Sequence, residues 1–259
     1  HRVIDEADLM LDMGFLEEVG EIISLLPENR KILLFSATLE KQVQTLIDNY
    51  AADAVFVAQD QEDGPPPSIG QAVYEVTAEN KYEMFKRVLM KENPDSCMIF
   101  CGTREMVNVL FQKLRRDRIF CGMIHGEMEQ KERLKNVDAF GRGGFRYLIA
   151  TDVAARGIDF ENIGLVVNYD FPTGKETYVH RIGRTGRNGK DGRAVSLVSA
   201  QEKKMLQKVE EYTGTALPVL QELIVTQEEE KAFWALQRRK SRSGFRFPDL
   251  HCRFLQQGH

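Results

Sequence analysis

The sequence contains no uninterrupted apolar run of the ~18 residues that a membrane-crossing helix needs, so no span is expected. It opens on His1-Arg2 with neither an initiator methionine nor a charged-then-apolar leader, which is what a fragment or trimmed chain looks like. Cysteine is scarce: Cys97, Cys101, Cys121 and Cys252, with no Cys-x-x-Cys pair among them. Cys97 and Cys101 are evenly spaced in an apolar stretch, so on a strand they share a face. Buried free thiols in a reducing, cytoplasmic compartment fit this usage better than a metal site. No Gly-x-x-x-x-Gly-Lys-Ser/Thr occurs, so no phosphate-cradling loop is present in the chain. Gly141, Gly143 and Gly144 fail the dinucleotide fingerprint, because Arg146 stands at the third glycine position; they read as a helix-to-strand turn. A basic excess is missing too. The 35 Lys and Arg are outnumbered by 39 Asp and Glu, for a net charge of −4. That weakens a nucleic-acid reading without excluding it, since placement counts for more than the total.

What is present is an ordinary globular composition, 42% hydrophobic and 29% charged over 259 residues, enough for one large domain or one and a half smaller ones. Residues 2 to 57 read strand, helix, strand, helix, strand. Arg2-Val3-Ile4 is a short strand, and Leu16 to Leu26 is a helix stopped by Pro27. Lys31 to Phe35 is a strand expected to be buried on both faces, Leu39 to Tyr50 a helix, and Ala54 to Val57 a last strand. Gln59 to Ser68 then has no apolar side chain other than proline, and Pro65-Pro66-Pro67 disfavours helix and sheet alike. This predicts an extended linker and a domain boundary.

Beyond it, strands are expected at 72–77, 97–101, 120–125, 146–151, 165–169 and 194–198. Helices are expected at 81–91, 105–115, 130–140, 176–182 and 202–212. Such alternation predicts an α/β fold with a doubly wound parallel sheet and a ligand site at the carboxyl ends of its strands. Past Gly214 the pattern fades, and the region after about Lys231 reads as a frayed helix and disordered tail. Trp234 is an apolar anchor in that helix. The basic run Arg238-Arg239-Lys240-Ser241-Arg242 is either a solvated face or an auxiliary nucleic-acid contact.

Chemistry-bearing residues cluster at the predicted strand ends. Val3-Ile4 runs into Asp5-Glu6-Ala7-Asp8, the placement that sets one carboxylate beside Mg2+ and another beside an attacking water; an acid pair there also commonly caps a helix. Ser36-Ala37-Thr38 follows the next strand. Further on come Gly102-Thr103-Arg104, then His125-Gly126 with Gln130 and Arg133. Thr151-Asp152 leads to Arg156-Gly157-Ile158-Asp159, and His180-Arg181-Ile182-Gly183-Arg184-Thr185-Gly186-Arg187 ends the series. His125 reads equally as a packed strand-end side chain or as a functional one.

In this order the blocks resemble those of the DEAD-box family of ATP-dependent RNA helicases, over roughly residues 2 to 212. The resemblance implies a RecA-like fold: part of a first domain at 1–58, a linker at 59–71, a complete second domain at 72–212 and a partly disordered extension at 213–259. It implies ATP and Mg2+ as cofactors and RNA as a sequence-nonspecific partner. Asp5 would hold Mg2+ through water, and Glu6 would activate the hydrolytic water. Asp8, Ser36, Thr38, His180 and Arg181 would couple the two domains. Arg184 and Arg187 would be the arginine fingers, with Gly157 and Asp159 at the nucleotide. Thr103, Arg104, Gly126, Arg133, Thr151 and Asp152 would grip RNA through its backbone and 2′-hydroxyls. The family's upstream blocks (adenine reader, phosphate loop, first-domain RNA contacts) are not in this chain, so it is expected to be inactive alone. A non-catalytic RNA-binding module and a DNA translocase of the same superfamily stand as alternatives; the tetrapeptide at 5–8 and Ser36-Ala37-Thr38 argue against the second.

Overall fold

The computed structural model describes residues 2–12, 14–27, 30–36, 41–57, 69–155, 158, 163–186 and 191–242. The chain divides into two compact units, His1–Gly64 and Pro65–His259.

The first unit holds β1 (Arg2–Ile4), α1 (Ala7–Asp12), α2 (Leu16–Ser24), β2 (Ile32–Leu34) and α3 (Lys41–Tyr50). β1 and β2 pair in parallel with Val3 opposite Leu33. Strand side chains alternate, so Ile4, Ile32 and Leu34 fall on the face that packs against Leu11, Val19, Ile23, Val43, Leu46 and Ile47. Val3, Leu33 and Phe35 fall on the other face and are exposed. The expectation that 31–35 is buried on both faces is therefore corrected: among the described residues helices cover one face only. Ala54–Val57 is not a strand either. Val55 and Val57 are 87% and 89% exposed, and no described strand edge pairs with them. β-branched composition cannot make a strand without a partner.

The second unit runs β3 (Ile69–Glu75), α4 (Lys81–Glu92), β4 (Cys97–Phe100), α5 (Arg104–Arg116), β5 (Cys121–Ile124), α6 (Gln130–Gly141), β6 (Tyr147–Ala150), α7 (Asp152–Ala155), β7 (Leu165–Asn168), α8 (Lys175–Ile182), β8 (Gly192–Val198), a 3-10 turn (Ala200–Glu202), α9 (Lys203–Thr213), β9 (Val219–Leu220) and α10 (Gln227–Arg242). The seven strands lie in the order β5-β6-β4-β7-β8-β3-β9, every pair parallel. The chain steps from β4 to one side for β5 and β6, then to the other for β7 and β8. The carboxyl edge at β4 is thus a topological switch point, where open α/β sheets leave a crevice.

Both faces of this sheet are packed. Cys97, Ile99 and Cys101 enter one core with Phe85, Leu110 and Tyr147; Met98 and Phe100 enter the other with Phe140, Val166 and Tyr178. Cys97, Cys101 and Cys121 are buried free thiols, and burial pushes each thiol well up from its usual range. Cys252 lies outside the described residues. At the end of α6, Gly143 has φ +71° and the Gly144 N–H donates to the Ala139 carbonyl at 2.7 Å, the turn its glycines predict.

Two boundaries move. Ile69–Gln71, expected in the linker, already belong to β3, because they pair with Gly192–Ala194 of β8. Residues 58–68 lie outside the described residues. The region after 212 is also more than an extension. β9 adds to the sheet edge at β3, and α10 packs beside α4 with Phe233 fully buried in the core. The frayed helix expected after Lys231 is instead an integral layer as far as Arg242. Its apolar anchor is Phe233, with Trp234 half-buried next to it. Sequence reasoning missed this because the helix is strongly polar on its other faces. Residues 243–259 lie outside the described residues.

Candidate functional site

In the first unit, Asp5 and Glu6 leave the carboxyl end of β1 with exposed carboxylates. The Glu6 N–H donates to Asp5 Oδ1 at 3.0 Å, and Glu6 has φ +51°, a left-handed conformation that costs a non-glycine residue energy. Asp8 is buried, and its backbone N–H donates to Ser36 Oγ at 3.2 Å. Adjacent parallel strands thereby tie the acidic block to the serine block. Thr38 lies outside the described residues. Among the described residues no group of three or more His, Cys, Asp or Glu is assembled to cage a metal. Two exposed hard-oxygen donors at a strand end fit Mg2+ held through its own waters, the mode this ion favours.

In the second unit, three adjacent strands β4, β6 and β5 deliver Thr103, Thr151 and Gly126 to one edge of the sheet. Each threonine caps a helix. Thr103 Oγ1 accepts from the Met106 N–H at 3.1 Å and starts α5; Thr151 Oγ1 accepts from Ala154 at 3.4 Å and starts α7. Gly126 is exposed, with open space where a Cβ would stand. Arg104 is half-exposed between two carboxylates, pairing with Glu105 at 2.7 Å and also with Glu127. Arg133 gives one N–H to the Ala154 carbonyl at 2.9 Å, tying α6 to the end of α7.

His125, at the end of β5, is 6% exposed and its Nδ1 has no partner. Burial lowers its pKa, outweighing the pull of Glu127. The neutral form is therefore native, and protons are taken up preferentially by the unfolded chain. Stability from this group is present above the unfolded value of ~6.5 and is lost as pH falls through it. Urea denaturation should show the second unit weakening between about pH 7.5 and 5.5, and a His125→Gln variant should weaken less over that range. Equal slopes for the two chains would refute the assignment.

Arg181, expected to couple the two domains, has a guanidinium that is 3% exposed and bonded within the second unit. Nε and Nη2 take Asp152 Oδ1 and Oδ2 at 2.6 and 2.8 Å, a two-pronged pair. Nη1 donates to Asn168 Oδ1 at 3.1 Å and to the Asp170 carbonyl at 2.7 Å, and the group stacks over Phe100. Strand packing brings Asp152 and Asn168 close enough to claim it. Its neighbour His180 is exposed in the last turn of α8.

Arg184, half-buried after α8, donates to the Ile158 carbonyl at 3.1 Å, which ties the segment after α8 to the one after α7. That turn folds back on β8. Gly186 has φ +70°, and a Cβ on Gly192 would lie 2.7 Å from the Gly186 nitrogen, so both positions need glycine. Gly157, Asp159 and Arg187 lie outside the described residues. Two residues that sequence reasoning passed over, Lys81 and Asp170, join this edge: they form an ion pair, and Asp170 also holds the Gly102 N–H at 2.9 Å. The signal was the polar pair Asn168 and Asp170 at an otherwise apolar strand end.

Comparison with known proteins follows the same division. Residues 1–46 match the family described as DEAD/DEAH box helicase, and residues 80–189 match the helicase conserved C-terminal domain. A solved structure of the E. coli DEAD-box protein SrmB, bound to regulator of ribonuclease activity A, is 36% identical, and this chain covers 92% of it (61% of the present chain, TM-score 0.56). The chain belongs to the DEAD-box family. Among curated DEAD-box relatives, the ATP-dependent RNA helicase DbpA of Bacillus subtilis (strain 168) is 49% identical over 83% of this chain and 45% of its own length. DbpA of Escherichia coli (strain K12) is 36% identical over 77% and 44%. The chain thus spans about half the length of the curated relatives it matches. S. cerevisiae Dbp5 bound to RNA and ADP BeF3 superimposes with TM-score 0.75 at 29% identity, over 92% of this chain and 62% of that one. The α/β fold with its parallel sheet is that of the RecA-like domains of this family.

Charge is divided as sharply as motif. His1–Gly64 has 4 Lys and Arg against 14 Asp and Glu, whereas Pro65–His259 has 31 against 25. The overall −4 conceals a net −10 in the first unit and +6 in the second. The unit expected to grip RNA carries the positive balance that long-range attraction to phosphate needs.

Proposed function

We propose that this chain carries the RNA grip and the arginine fingers of an ATP-dependent RNA helicase that unwinds short duplexes or remodels RNA–protein complexes in the cytoplasm. The observation that carries this reading is the convergence of Thr103, Gly126 and Thr151 on the ends of three adjacent strands. Hydroxyls, a bare backbone and a helix N-terminus suit phosphate and sugar, which have no base identity. Arg104, Arg133 and the backbone at Asp152 complete the grip, and contacts to the 2′-hydroxyl favour RNA over DNA.

ATP with Mg2+ supplies the driving hydrolysis. On this chain Asp5 would hold the ion through one of its waters, and Glu6 would orient and deprotonate the attacking water. Asp8, Ser36 and Thr38 relay closure. Arg184 and Arg187 stabilise charge on the transferred phosphoryl group, an effect worth ~10³–10⁵ in rate for such fingers. Gly157 and Asp159 hold the nucleotide, and His180 belongs with the residues that couple the two domains. We assign residues 1–58 to the first domain and the second domain from Ile69 through α10.

A second reading, a non-catalytic RNA-binding module, describes what the chain does by itself, because it has no phosphate loop. The purified chain should bind labelled single-stranded RNA without ATP and turn over ATP no faster than the blank. Arg104→Met should weaken binding and lower the salt slope by about 0.7, the loss of one phosphate contact. RNA binding that ignores Arg104→Met, or equal affinity for DNA, would count against the proposed grip. RNA-stimulated phosphate release would sink the inactivity of the isolated chain.

A further inference from the structure

Asp170 stands two residues past the end of β7, outside every block that the sequence reading singled out. Its side chain is only one-fifth exposed, and both carboxylate oxygens are engaged. Oδ2 accepts from the Gly102 backbone N–H at 2.9 Å, and Oδ1 pairs with the Lys81 ammonium, which lies over the Tyr169 ring at 4.7 Å. Its backbone carbonyl accepts from Arg181 Nη1 at 2.7 Å. The same guanidinium grips both oxygens of Asp152 at the start of α7. Asp170 is thus bonded on one side to the loop that begins Gly102-Thr103-Arg104, and on the other to the group that fixes Thr151-Asp152.

We propose that Asp170 is a positioning residue for RNA binding: it holds the loop after β4 level with the step after β6, so that neighbouring phosphates of one strand meet both. This rests on the reading of those two loops as RNA contacts. Lys81 acts through Asp170, since its ammonium is paired with that carboxylate rather than aimed at solvent. A carboxylate near bound phosphates otherwise repels them, so the sign of the effect separates the two roles. If Asp170 were only a nearby negative charge, removing it would tighten binding. As a positioning group, its removal loosens binding.

The test uses the whole 259-residue chain and a labelled single-stranded RNA, with affinity measured over a range of salt. Asp170→Ala should weaken binding about tenfold or more, the effect of losing a hydrogen bond to a charged group, with the salt slope unchanged because no phosphate contact is removed. Asp170→Asn should fall between, since its amide oxygen can still accept from Gly102. In the free chain, the Gly102 amide should lose protection from hydrogen exchange in Asp170→Ala and keep it in Asp170→Asn. Lys81→Met should weaken binding at constant slope, and serves as the second variant if Asp170→Ala does not fold. Equal or tighter binding by Asp170→Ala overturns the proposal, as does a drop in slope for Lys81→Met. Arg104→Met distinguishes the failures. If it weakens binding while Asp170→Ala does not, positioning alone is wrong; if it too has no effect, the RNA reading of this loop falls, and the proposal with it.

Discussion

Replacing Arg181 with methionine should destabilise the second unit by about 3 kcal/mol or more, the usual cost of breaking a buried, hydrogen-bonded ion pair from one side. Methionine fills much of the volume but leaves three acceptors stranded: the Asp152 carboxylate, the Asn168 amide oxygen and the Asp170 carbonyl. Asp152 keeps some access to water, its side chain being 28% exposed, which limits the penalty on its own charge. Arg181→Lys should recover part of the loss and no more, because an ammonium cannot present two parallel donors to Asp152 and still reach Asn168. Urea denaturation of the three chains measures the ranking. If Arg181→Met unfolds at the wild-type urea concentration, the network is ornamental to stability. RNA affinity measured well below the unfolding transition should fall as well, since Thr151-Asp152 loses its anchor.

Truncating Phe233 to alanine should cost about 3–4 kcal/mol, as for other fully buried aromatics. The ring is completely buried, 6.5 Å from Tyr147 and 5.0 Å edge-on from Trp234. Around it, Gln237 Nε2 donates to the Tyr147 hydroxyl at 3.3 Å, and Lys91 pairs with Glu229 at 2.7 Å. The exposed ion pair adds little, so the ring carries the docking of α10. Trp234→Ala should cost visibly less because Trp234 is only partly buried. Thermal unfolding of both variants decides it. A Phe233→Ala chain as stable as wild type would return the segment after 212 to the status of a loose extension.

That segment shows where sequence reading ran out. Glu228-Glu229-Glu230 and Arg238-Arg239-Lys240 dominate its composition, and a single buried ring outweighs them because it joins the apolar core that α4 and β6 supply. The strands and longer helices from 81 to 212, by contrast, were legible to within a residue or two, although the short helix α7 and the 3-10 turn at Ala200–Glu202 were not. Their apolar runs are long enough to be strands buried on two faces, and glycine or proline separates most of them. The reading failed for Lys31–Phe35 in a specific way. A continuous apolar run predicts two covered faces, but Leu33 and Phe35 remain exposed in the described unit.

The site divides along the same line. The order of residue types along the chain was enough to point to the DEAD-box family, because acids, hydroxyls and arginines recur at strand ends where phosphate chemistry needs them. It also predicted that Thr103, Gly126 and Thr151 would end strands. Only the tertiary structure decided which strands lie side by side, and so which of these residues share an edge. It alone showed that Arg181 is held by Asp152 and Asn168, which lie far from it in sequence, and that Asp170 reaches back to Gly102. Side-chain pairing between separated strands depends on sheet order and register, and no periodicity along one chain encodes either.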